Sequence, residues 1–254
     1  NLKVTYIKKD EKFTHGKKLA LSVGIKAAKN EWLLLTDADC IPAGKKWLAS
    51  MAVNFIEKKD IVLGFGGYMK KPGFLNKLIR YDTAFIALQY LSYAISGMPY
   101  MGVGRNLAYR RSLFFKNKGF ASHAHIKSGD DDLFVNEVAK KSNTCIEFSH
   151  ESFTRSQPEN SMFNWFYQKK RHLTTGAFYK KKHKFFLSLE PLTRLIFYFS
   201  FAGLMYLQFF IPVILAAFGL RLLVQYLIMI FFTNRLKEKD LLLFLPIFDI
   251  ILPF

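Results

Sequence analysis

Three short passages of this sequence place ionisable side chains where they could do chemistry. In Thr36-Asp37-Ala38-Asp39, two carboxylates stand two residues apart, directly after the apolar run Trp32-Leu33-Leu34-Leu35. Beyond the carboxyl end of a strand in an open α/β sheet, such a pair can offer oxygens to one hard divalent cation and leave it positions for phosphate. The same residues also suit a plain turn, since Asp hydrogen-bonds its own backbone, but the place after a buried run favours the functional reading. The second passage is Ser128-Gly129-Asp130-Asp131-Asp132-Leu133-Phe134. One acid suffices to cap a helix. Three adjacent acids repel one another, and crowded like charges raise a carboxyl pKa toward the range useful to a general base. The third passage, Gln168-Lys169-Lys170-Arg171-His172, follows Phe163, Trp165, Phe166 and Tyr167. Alone it reads as a solvated basic helix face or a membrane-surface patch.

These passages need a frame to hold them. Residues 2–7 alternate like a strand, residues 17–29 carry a helical apolar face, and residues 32–35 and 61–63 are short apolar runs. The run at 32–35 is expected to be a strand buried on both faces. Strand, helix and strand joined by short connections predict a parallel α/β sheet. The aromatic-rich residues 78–95 predict a helix. Gly64-Phe65-Gly66-Gly67 lacks the helix a nucleotide fingerprint requires and reads as a strand end turning into a loop. Cys40 reads as a small buried residue. His123 and His125 read as structural, with no third ligand at metal spacing.

Composition separates two regions. The chain has 254 residues, 37 Lys+Arg against 19 Asp+Glu for a net charge of +18, and 51% hydrophobic residues. A disordered basic tail is excluded by the apolar content, and a small stapled scaffold by the length. Two cysteines exclude a disulfide framework and fit a reducing compartment. Residues 195–233 hold a single charge, Arg221, and residues 195–220 none. That stretch exceeds the roughly 20 residues that cross a bilayer core. Basic clusters flank it, Lys180 to Lys184 before and Arg235, Lys237 and Lys239 after, and such flanks prefer the cytoplasm. Two layouts fit: two crossings with Arg221 inside the second, or one crossing followed by an interfacial helix with Arg221 snorkelling. The expected division is a catalytic domain over 1–190 and a transmembrane region over 191–254, closed off by Pro191. Asn1 at the start and an apolar run at the end read as a fragment truncated at both ends.

Taken in order, the motifs resemble the family-2 inverting glycosyltransferases, membrane-attached enzymes such as the cellulose and hyaluronan synthases and the ceramide glucosyltransferases. Asp37-Ala38-Asp39 resembles the DxD element, Gly104-Arg105-Asn106-Leu107 the loop and strand facing the acceptor, Gly129-Asp130-Asp131 the (E/G)-D-D element with the base, and Gln168, Arg171 and His172 the Q-x-x-R-W element. The resemblance implies a nucleotide-diphospho-sugar transferase (GT-A-like) fold: an α/β, mixed, mainly parallel sheet with helices on both faces, then C-terminal transmembrane helices. It implies a divalent metal, Mg²⁺ or Mn²⁺, at Asp37 and Asp39. Donor binding would fall to Asp37, Asp39 and Lys17, and acceptor or diphosphate binding to Asn106, Gln168, Arg171 and His172. The base is Asp131, or Asp132 if the acid pair slides by one residue, with Asp130 beside them. His172 stands where the family has Trp. A first strand and an upstream nucleotide-binding Asp are expected before Asn1.

The implied reaction moves sugar with inversion from a nucleotide sugar, a UDP-sugar being expected, to a carbohydrate or lipid-linked acceptor. The implied place is the cell membrane, multi-pass, among membrane lipids, with the catalytic domain facing the cytoplasm. A metal-dependent nucleotidyltransferase is the alternative enzyme, and a basic membrane-surface binding module the non-enzymatic one. Nucleic acid is not an expected partner, because the lysines scatter and then concentrate beside the apolar span.

Overall fold

A computed structural model describes Val4 and residues 16–252. The strand expected at residues 2–7 lies, Val4 apart, outside the described residues. The chain divides into two units, the first comprising Asn1–Met69 with Gln89–Lys180 and the second Lys70–Leu88 with Lys181–Phe254.

In the first unit, helix α1 (Gly16–Ala27) leads to strand β1 (Trp32–Leu35), then β2 (Ile41–Pro42), α2 (Trp47–Ala52), β3 (Ile61–Leu63) and β4 (Gly66–Tyr68). Helix α3 (Phe74–Ile95) begins in the second unit and returns the chain to the first. There follow β5 (Leu107–Arg110), α4 (Arg111–Lys116), α5 (Asp132–Val138), β6 (Thr144–Ile146), β7 (Thr154–Ser156) and α6 (Met162–Gly176). The main sheet has the order β1-β5-β3-β6, with β5 antiparallel to β1 and β3 and β6 parallel to β3. Three strands therefore share one direction and β5 alone opposes them, the mixed, mainly parallel α/β sheet that was expected. A second sheet runs β2-β7-β4.

Register decides what meets what. Leu107 pairs with both Leu35 and Leu63, so the residues just before β5 enter between the carboxyl ends of β1 and β3. The core beneath them holds Met51, Val62 and Ala108, with Trp32, Leu34, Trp47 and Phe55 packed around. The strand β1 is half-buried, not buried on both faces. Helix α5 is too short to be stable alone. It is held by Phe134, fully buried and packed on Tyr109 and Phe114 with ring centroids 4.8 and 5.7 Å away. Removing such a ring costs about 3–5 kcal/mol.

The second unit contains α7 (Lys181–Tyr206), α8 (Ile211–Leu236) and α9 (Leu245–Ile251). Pro191 does not close a boundary as expected: α7 runs through it and starts ten residues earlier, at Lys181. Hydropathy marks the apolar part of a helix, while its basic first turns cost nothing in propensity. Both α7 and α8 have 26 residues, about 39 Å at 1.5 Å per residue. Among the described residues these two helices are long and apolar enough to cross a membrane, and only 6% and 11% of their most apolar windows is buried within the protein. Arg221 does not stand alone. Its Nη1 lies 2.7 Å from Asp249 Oδ2, and Asp249 also receives Gln225 Nε2 at 2.8 Å. Arg194 bonds Glu190 and approaches Asp249 to 3.6 Å.

Candidate active site

The site begins where β1 ends. The Thr36 hydroxyl donates to the Arg105 carbonyl at 3.0 Å, tying the loop after β1 to the loop before β5. A turn follows, closed by the Cys40 N–H on the Asp37 carbonyl at 3.0 Å. It gathers Asp37, Asp39 and Cys40 so that one ligand atom of each lies within 4.8 Å of the others. Burial pushes the Cys40 thiol up, which keeps it protonated and leaves the two carboxylates as the effective donors. Two oxygen ligands, one half-buried (Asp37) and one exposed (Asp39), suit Mg²⁺ or Mn²⁺, which take the rest of their shell from water and phosphate. The donor set thus fits the implied metal. Cys40 is half-buried beside the acids rather than a buried filler residue.

The acid triad is built by α5. Gly129 precedes it at φ +94°, a left-handed conformation that glycine adopts without a Cβ penalty. Asp131 caps the helix, with Oδ1 accepting from Asp132 N–H at 2.8 Å and Oδ2 from Gly104 N–H at 2.6 Å. At Gly104 a Cβ would stand 3.2 Å from that same Oδ2, so the loop approaches the carboxylate through a missing side chain. Burial and the neighbouring charges of Asp132 and Asp130 raise Asp131 to about 7, against weaker opposition from Lys17 and the Gly104 N–H. Of the three acids, Asp130 and Asp132 are buried and Asp131 keeps some solvent access. Asp132 accepts from Leu133 N–H at 2.8 Å, from the Tyr179 hydroxyl at 2.8 Å and from the Thr175 hydroxyl. Burial raises it too, but those donors work to keep it ionised.

Lys17 joins the two acidic passages. Its Nζ lies 3.1 Å from Asp37 Oδ1 and 2.9 Å from Asp130 Oδ2. Burial works against its charge, yet Asp130, Asp37 and Asp131 outweigh it and hold Lys17 above the ordinary lysine range. Its neighbour Lys18 is buried and donates to the carbonyls of His123 and Ile126, at 2.6 and 2.9 Å, anchoring the loop that leads to the triad. His123 is buried there as a structural residue.

Helix α6 presents the basic passage. Gln168 Oε1 accepts from the Tyr68 hydroxyl at 3.3 Å, while Arg171 and His172 are exposed. Crowding by protein and the charges of Arg171, Arg105, Lys169 and Lys17 push the His172 imidazole down to about 4, so it is neutral at physiological pH. Asn106 has a different task from the one expected. It is fully buried, donates to the carbonyls of Phe65 (2.9 Å) and Ser152 (2.7 Å) and accepts from Trp47 Nε1 at 3.1 Å. With its amide used at both ends, it is a strut between loops. Arg105 beside it, stacked over Tyr68 at 4.4 Å, is the side chain of that passage close enough to influence the site. Thr175, Tyr179 and Lys18 carried no sequence signal, because nothing in a lone Thr, Tyr or Lys announces a partner many tens of residues away.

Residues 1–116 match the family model Glycosyl transferase family 2. The matched segment contains Lys17, Asp37, Asp39 and Asn106 and ends before the acid triad and the basic passage. Among solved structures, a mannosyltransferase from Pyrobaculum calidifontis in complex with GDP-Man and Mn²⁺ is similar at 16% identity and a TM-score of 0.49, covering 93% of this chain and 67% of that one. No curated protein matches the chain in sequence.

Proposed function

From the match of residues 1–116 to the Glycosyl transferase family 2 model, we propose that this protein transfers a sugar from a nucleotide-diphosphate sugar to an acceptor hydroxyl with inversion, at a membrane surface. The observation that carries the reading is the Lys17 bridge. It joins the Asp37 passage to Asp130, next to Asp131. Metal-binding acids and an acid of raised pKa thereby share one site.

Asp37 and Asp39 would hold Mg²⁺ or Mn²⁺, which when bound neutralises the diphosphate and makes it a better leaving group. Lys17 keeps the two acid clusters at fixed spacing and offers a positive charge to phosphate. Asp131, poised near neutrality, takes the proton from the acceptor hydroxyl as that oxygen attacks the anomeric carbon. A single displacement inverts the configuration. Arg171 supplies an exposed fork donor for the acceptor or the departing diphosphate, and the neutral His172 a flat ring and a hydrogen bond at the place of the Trp in the Q-x-x-R-W element that the passage resembles. The helices α7 and α8 would carry the unit at a bilayer, where a carbohydrate or lipid-linked acceptor meets it. A UDP-sugar is the first donor to test. Thermal stabilisation of the full chain by UDP with Mn²⁺, and not by pyrophosphate or DNA, is the expected result. Stabilisation by a nucleoside triphosphate, with pyrophosphate released on turnover, would instead mark a nucleotidyltransferase.

A further inference from the structure

We infer that Asp132, Thr175 and Tyr179 form a clamp that fixes the end of α6 onto the start of α5, making Asp132 a positioning residue for the transfer reaction rather than its base. The inference deepens the proposed glycosyl transfer and rests on it for its kinetic part only.

The geometry is that of a filled anchor. Both Asp132 oxygens are occupied from within: Oδ1 by Leu133 N–H at 2.8 Å, Oδ2 by Tyr179 Oη at 2.8 Å and by Thr175 Oγ1. A carboxylate buried to this degree and met by three donors is held in one orientation, and those donors compete with an acceptor hydroxyl for its lone pairs. Thr175 and Tyr179 are four residues apart and follow α6's basic passage closely, so the anchor sits one turn beyond His172. Thr175 Oγ1 also lies 2.7 Å from the His172 carbonyl. The grip continues past the helix. Lys180 N–H donates to Asn136 Oδ1 at 3.0 Å, Lys180 Nζ to the Glu137 carbonyl at 3.0 Å, and Asn136 Nδ2 to the Tyr100 carbonyl at 2.7 Å. The Tyr179 ring stands 6.0 Å from that of Tyr100. Helix α6 is otherwise amphipathic and exposed along Phe163, Phe166, Tyr167 and Leu173. The clamp, with the Tyr68–Gln168 bond farther along the helix, sets where Arg171 and His172 stand relative to Asp131.

The test uses the full chain with Tyr179→Phe, Thr175→Val, Thr175→Ser and Asp132→Asn, read by amide hydrogen exchange over α6 and by kcat and KM for donor and acceptor. The clamp predicts exchange of α6 amides about tenfold faster in Tyr179→Phe, Thr175→Val and Asp132→Asn, the size of one hydrogen bond to a charged group. It predicts a kcat lower by about tenfold and a raised acceptor KM, with donor KM unmoved. Thr175→Ser restores both. The double variant Tyr179→Phe/Asp132→Asn falls no further than Asp132→Asn, because the two share one interaction. A loss of about a thousandfold or more in Asp132→Asn, with α6 exchange unchanged, makes Asp132 the base and overturns the inference. Unchanged exchange in Tyr179→Phe and Thr175→Val overturns it equally. If the parent chain transfers no sugar, the proposed function fails while hydrogen exchange still decides the clamp.

Discussion

Charge is handled in opposite ways in the two units. In the second, Arg80 is buried against Glu238 and within 2.8 Å of Asp240, and Asp249 sits between Arg221 and Arg194. Buried Arg80, Glu238, Arg194 and Asp249 each meet an opposite charge, and Asp240 is held down to about 2 by Arg80. In the first unit Asp37, Asp39, Asp130, Asp131 and Asp132 crowd together, with Lys17 the cation bonded to two of them. Burial and, after it, this crowding raise Asp131 to about 7 rather than lowering it. Paired charges hold helices together. Crowded ones cost stability, and a perturbed acid of this kind is a candidate for chemistry.

The contrast can be broken most sharply at Asp131. Asp131→Asn should lower kcat by roughly 10²–10⁴-fold, the worth of a general base, while nucleotide affinity measured by calorimetry changes little. Next in size, Asp249→Asn or Arg80→Met strands a buried partner and should destabilise the second unit by about 3–5 kcal/mol, read by thermal unfolding in detergent. Stability of Asp131→Asn should go the other way. A folded-state value of about 7 against an ordinary 3.8 means the folded protein binds the proton more tightly than the unfolded chain. Stability contributed by Asp131 is thus lost as pH rises through that window, and the Asn variant should unfold at a higher temperature than the parent above pH 7. The rate should climb with pH and level off above about 7. Lys17→Met should move that limb to higher pH, because Lys17 opposes the rise in Asp131. The smallest effect belongs to Gly104→Ala, whose Cβ presses on Asp131 Oδ2 and should slow turnover only a few-fold, within the ~1 kcal/mol of a strained contact.

What the sequence made legible was local. Asp37 and Asp39 follow β1 within four residues, so the apolar run and the acid pair announce each other. Gly129 and the three acids carry their own turn and cap. Long-range partnership was not legible. The donors that fill Asp132, Thr175 and Tyr179, lie 43 and 47 residues downstream. Asn106 looked available for a ligand because its polarity is visible in sequence and its burial is not. The apolar stretch at 195–233 was legible as bilayer-compatible, but its start was not, since α7 absorbs Lys181, Lys182 and Lys184 and runs through Pro191. The partner that neutralises Arg221 is Asp249, which sits on α9 beyond the span that drew attention.

The most direct test of the account is release of nucleoside diphosphate from a panel of UDP- and GDP-sugars by the full chain with Mn²⁺ and membrane extract, the parent set beside Asp131→Asn. The account predicts metal-dependent release of the diphosphate by the parent and release slower by roughly 10²–10⁴-fold in a variant that still binds the nucleotide. Equal release by the Asn variant, or turnover that survives excess chelator, would contradict it.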